Sequence, residues 1–104
     1  MTKDDRIQFE NSKLVSIDNL GDDKEIFSQS KEMIKSLDKY NYSYLWSWLG
    51  LPIIQWPADI MATQEVLWRV KPDVVIETGV ARGGSVVFIA SILKIMGKYF
   101  NRNY

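Results

Sequence analysis

The chain has 104 residues, 46% of them hydrophobic and 12% aromatic, which makes one domain at most and too much apolar surface to stay unfolded. Thirteen basic and thirteen acidic residues cancel, leaving no electrostatic case for nucleic acid or an anionic membrane as partner. Cysteine and histidine are both absent, which excludes disulfides, thiolate nucleophiles and imidazole as base or metal ligand.

The start, "MTKDDRIQFE", has no apolar core after its charges and does not read as a secretory signal. Residues 1–21 are polar and mixed without a sustained period, and read as an irregular arm. Residues 22–104 read as a helical lead-in followed by one strand-turn-helix unit. A helix is expected from about Asp22, capped by Asp22 or Asp23, with Ile26, Phe27, Ile34 and Leu37 on one face. The aromatic run "YNYSYLWSWLGLPIIQWPAD", broken by Gly50, Pro52 and Pro57, reads as a helix end and then a loop packing on something apolar. It has no basic interleaving, so a nucleic-acid stacking surface is the weaker account.

Pro57 suits the first turn of another helix, with Asp59 near its positive end. Ile60, Leu67 and Val70 give that helix a buried stripe, widened by Met61, Val66 and Trp68. The helix ends at Lys71, because a residue before proline is pushed out of the α region. "DVVIET", Asp73 to Thr78, reads as a short strand buried on both faces. Gly84 to Met96 reads as a helix apolar nearly all round, with Gly97 as its cap. Its apolar run is too short to span a membrane and contains Lys94.

Strand, glycine turn, helix is the ligand-binding half of a doubly wound α/β fold. In "ETGVARGGS", Gly79 lets the chain turn, while Gly83 and Gly84 clear space where backbone approaches a ligand or a neighbouring strand. Ser85 adds a hydroxyl beside the free N–H groups of the helix start, a place for a carboxylate or phosphate. Glu77 sits at the strand end, where an acid repels pyrophosphate and suits an ammonium group. A ligand carrying both an amino group and a carboxylate fits the pair, as does the amino-acid end of S-adenosylmethionine.

A dinucleotide reading stays open through Gly79-x-Ala81-x-x-Gly84, but the acid expected about twenty residues on is missing from Tyr99 to Tyr104. No Gly-Lys-Ser/Thr follows, so a P-loop is excluded. Arg82 reads as a solvated turn residue, with pairing to a carboxylate or substrate at the crevice as the weaker account. The acidic pairs Asp4-Asp5 and Asp22-Asp23 make no metal site on their own.

"ETGVARGGS" resembles the first motif of class I S-adenosylmethionine-dependent methyltransferases. The longer run Trp48 to Ser91 resembles the cephalosporin hydroxylase family, which includes rhamnosyl and other sugar O-methyltransferases. The resemblance implies the N-terminal part of a Rossmann-like methyltransferase fold. It implies cofactor binding along Glu77, Thr78, Gly79, Ala81, Arg82, Gly83, Gly84 and Ser85, with Glu77 and Gly79 by the methionine end and Ser85 by its carboxylate. The stretch Gln55 to Asp59 is implied as a wall above the cofactor, and a sugar or polysaccharide precursor as methyl acceptor. Family members continue into strands carrying the ribose acid, the adenine contacts, a divalent-metal site and the catalytic groups. "GKYFNRNY" contains no acid, so the chain reads as shortened, without an assignable catalytic residue and inactive alone. A cytoplasmic protein, a homo-oligomer, or a non-catalytic helical module that associates through its aromatics are further expectations.

Overall fold

Thr2 and Asp5 start the first helix. The Asp5 backbone N–H donates to the Thr2 hydroxyl, and the Asp5 carboxylate accepts from the Thr2 N–H, a reciprocal capping box. The Thr2 hydroxyl and then its N–H, both donating to Asp5, hold that carboxyl below its ordinary value. The computed structural model describes residues 2–99, and the chain divides into two compact units, residues 1–39 and 40–104.

The first unit corrects the irregular arm: α1, Lys3–Asp22, is a helix of 20 residues. Its apolar residues gave no periodic signal because Ile7, Phe9, Leu14, Val15, Ile17 and Leu20 are spread around the axis, and all stay exposed. Such a helix rests on its cap and local propensity rather than on a buried face. Asp23 then caps α2, Lys24–Asp38, by accepting from the Ile26 N–H at 3.0 Å, as the sequence indicates. Ile26, Phe27 and Ile34 share a face of α2 that is exposed, with Leu37 half-buried at its end.

In the second unit the aromatic run is neither a long helix nor a plain loop. A short 3-10 turn, Tyr42–Tyr44, leads into a hairpin of β1, Ser47–Trp48, and β2, Leu51–Pro52, paired antiparallel. Leu49 and Gly50 both take positive φ, 49° and 83°, the mirror-image turn that matches the twist of a two-residue hairpin. The expected packing of this stretch is present. Trp48 meets Phe88 edge to face at 4.7 Å, its indole N–H donates to Ser91 Oγ at 3.1 Å, and Tyr42 rests on Trp46 and Trp56. Ile53, Leu67, Phe88 and Met96 form the buried core.

Helix α3, Pro57–Val70, begins at its proline and ends where expected, but Lys71 leaves the α region for φ 48°, ψ 57°, the left-handed one. Its buried stripe is narrower than anticipated: Leu67 is buried and Ile60 half-buried, whereas Met61, Val66, Trp68 and Val70 are exposed. Helix α4, Gly84–Tyr99, runs on through Gly97 rather than ending there. It is covered on one side only, with Val86 and Ile95 exposed.

The largest correction concerns "DVVIET". Among the described residues it pairs with no strand, and the only sheet is the hairpin. Val74 is 75% exposed and Ile76 87%, so this is not a strand covered on both faces. A parallel strand needs neighbours on its edges, and none of the described residues supplies them. The α/β class therefore shows, among the described residues, as α-helices with a two-stranded hairpin, compatible with an N-terminal methyltransferase-like piece.

Candidate functional site

The turn between the irregular segment that carries Val74, Val75, Ile76 and Glu77 and helix α4 is built from left-handed residues. Gly79 has φ 78°, Ala81 φ 48° and Gly83 φ 87°, and the Gly83 N–H closes onto the Val80 carbonyl at 2.9 Å. At Gly79 a side chain would meet nothing within 4 Å, so its need is conformational and the space beside it is open. Gly84 is the opposite case. A Cβ there would collide with the Pro52 carbonyl oxygen and stand 2.7 Å from Ile53 Cα, because the start of α4 is pressed against β2. Of the two alternatives for that glycine, approach to a neighbouring backbone is the one observed.

This turn brings Glu77 and the start of α4 together. Ser85 Oγ donates to Glu77 Oε1 at 2.6 Å, within the range of charge-assisted hydroxyl–carboxylate bonds. Gln55 Nε2 lies 3.5 Å from the same hydroxyl, at the outer limit of a hydrogen bond. Ser85 is buried, at 8% exposure, so its hydroxyl is turned inward rather than offered at the surface. The second oxygen of Glu77, Oε2, is closed off from solvent and has no hydrogen-bond partner among the described residues. A buried acceptor left so costs about 1–3 kcal/mol, which marks it as a place where a donor is wanted.

Glu77 also faces a groove of about 280 Å³ between the irregular segment and α4, walled by Val75, Val80, Val86, Ile89, Ala90 and Leu93. Thr78, Gly79, Ala81 and Arg82 are exposed along the rim of the turn, Gly83 is half-buried, and Gly84 is buried. Of the eight residues singled out in the sequence, Glu77 and Ser85 thus join in one hydrogen-bonded pair, while Gly79, Ala81 and Gly83 shape the backbone around it. Asp59 is exposed in the first turn of α3, as a helix-terminal charge. Among the described residues no three acidic side chains gather as a metal centre would require.

Two features had no sequence signal. Ile54 stands in the left-handed region at φ 52°, an unusual conformation for a β-branched residue, and sets the path of the loop that carries Gln55. The Trp48–Ser91 bond joins hairpin to helix across 43 positions, a separation at which no local pattern operates.

The model of the Rhamnosyl O-methyltransferase/CmcI family matches residues 40–102, more than half of the chain and nearly all of the second unit. The chain belongs to this family. The match contains Trp48 to Ser91, so the resemblance read from "ETGVARGGS" and its upstream loop holds. A rhamnosyl O-methyltransferase of Mycobacterium leprae (strain TN) is 28% identical over 79 residues, which is 72% of this chain and 34% of that relative. The chain thus spans about a third of the relative's length. No solved structure matches. Within a family so named, the site to examine is the acid-and-glycine turn from Glu77 to Ser85.

Proposed function

We propose that the chain supplies the first cofactor-binding unit of an S-adenosylmethionine-dependent O-methyltransferase acting on a sugar-like acceptor, in a cytoplasmic setting. The observation that carries the reading is the buried, unpartnered Oε2 of Glu77 at the carboxyl end of the irregular segment. An ammonium group provides what that oxygen lacks, a charged donor, and the cofactor's amino-acid end carries one. Membership of the rhamnosyl O-methyltransferase family supports the same cofactor and a sugar as acceptor.

When bound, S-adenosylmethionine supplies the methyl group as an electrophile. The residues present bind and orient it. Glu77 accepts from the ammonium, and the open side of Gly79 admits ligand beside the backbone. The Val87 N–H already donates to the Gly83 carbonyl at 3.1 Å, and the N–H groups of Gly84, Ser85 and Val86, at the very start of α4, are the ones that suit the carboxylate. A donor reaches Oε2 only if groups around it move, since that oxygen is closed off from solvent.

The test is calorimetric titration of the chain with S-adenosylhomocysteine. Glu77→Gln keeps an acceptor but removes the charge. A hydrogen bond to a charged group contributes about 1.5–3 kcal/mol, so affinity should fall roughly ten- to a hundredfold. Equal affinity in the two proteins, or none in either, overturns the assignment.

A further inference from the structure

A hydroxyl has one hydrogen to donate, and that of Ser85 is already committed to Glu77 Oε1 at 2.6 Å. Its remaining capacity is to accept, and Gln55 approaches it on that side at 3.5 Å. The serine is also buried. A ligand carboxylate, which only accepts, finds no donor in this side chain. A place for Ser85 by the cofactor carboxylate then rests on its backbone N–H at the start of α4 rather than on its hydroxyl.

A different role follows from the same bonds. A glutamate has three rotatable bonds, and an unrestrained carboxylate would turn both oxygens toward any donor within reach. Here Oε1 is tied by a short bond and Oε2 is left over, buried and unmatched. The tie is anchored at both ends. The Ser85 backbone belongs to the start of α4, which Gly84 holds against Pro52 and Ile53. Gln55 is held by a loop whose preceding residue, Ile54, sits at φ 52°, a strained position that the surrounding fold must over-determine.

We propose that Ser85 is a positioning residue: it fixes the Glu77 carboxylate so that Oε2 alone meets the ammonium of an amino-acid-bearing ligand, with Gln55 steadying the serine. This deepens the methyltransferase reading and rests on it. The role is orientational, because Ser85 touches the acid rather than the ligand.

Two ligands separate positioning from general structural damage. S-adenosylhomocysteine carries the ammonium, while 5′-methylthioadenosine shares the adenosine and sulfur and lacks the amino-acid end. Ser85→Ala should weaken binding of the first about tenfold or more and leave the second unchanged, with Ser85→Thr restoring the difference. A cooperative thermal melt in each variant shows that the chain is folded. Should the alanine variant lose its melt, Ser85→Cys, close in size and a poor donor, takes its place with the same expected selectivity loss. Equal weakening of both ligands, or no weakening of either, overturns the positioning role alone. Failure of the unaltered chain to bind S-adenosylhomocysteine overturns the methyltransferase reading, and this inference with it.

Discussion

Gly79 and Gly84 lie five positions apart and lack a side chain for opposite reasons. Gly79 needs its φ of 78° and has open space around it, whereas Gly84 needs the space itself, with the backbone of Pro52 and Ile53 against it. Alanine at position 84 must push two backbones apart, and overpacking of that kind costs about 1–3 kcal/mol. Alanine at position 79 carries only the left-handed penalty, about 1 kcal/mol. Thermal denaturation should therefore show Gly84→Ala lowering the midpoint more than Gly79→Ala, by several degrees for a domain of this size. The reverse order would mean that α4 does not abut β2 as described. At this scale the sequence was informative wherever the chemistry is local: Asp23 as a cap, Pro57 opening a helix, and Lys71 closing one before Pro72. The Glu77–Ser85 bond was not legible, because it spans eight positions and depends on how three left-handed residues bend the chain between them.

Among the elements, the irregular segment Val74–Ile76 is the one least reconciled with its own composition. Three consecutive β-favouring aliphatics predict a strand covered on both faces, and the structure has instead an irregular, exposed segment there. Coverage is another matter, since strand partners are chosen by tertiary structure, and among the described residues none is present. Val74 and Ile76 stay largely exposed as a result. Burying such a side chain is worth about 1.5–3 kcal/mol, so this segment gives the chain a local drive to associate. The account predicts concentration-dependent association in sedimentation velocity, reduced by Ile76→Lys. A chain that stays monomeric at every concentration, or that associates equally with the lysine, contradicts it. Helix α1 errs in the other direction: it forms without a hydrophobic stripe, from a capping box that periodicity does not detect.

On the scale of the whole molecule the two units differ in what they resemble. The family match begins at residue 40, where the second unit begins, and leaves α1 and α2 outside it. Function is accordingly expected from the second unit, where the hairpin, the glycine turn and α4 bring Glu77 and Ser85 together. The motif was legible because glycines and an acid at a strand end report backbone geometry and charge directly. The sheet that would complete a doubly wound fold was not, because it depends on pairings remote in sequence. The most direct test of the cofactor site is an amide ¹H–¹⁵N titration of the chain with S-adenosylhomocysteine. Shifts concentrated at Glu77 to Ser85 and the first turn of α4, saturating with ligand, are the predicted result. No shifts, or shifts confined to α1 and α2, would contradict a cofactor site at this turn.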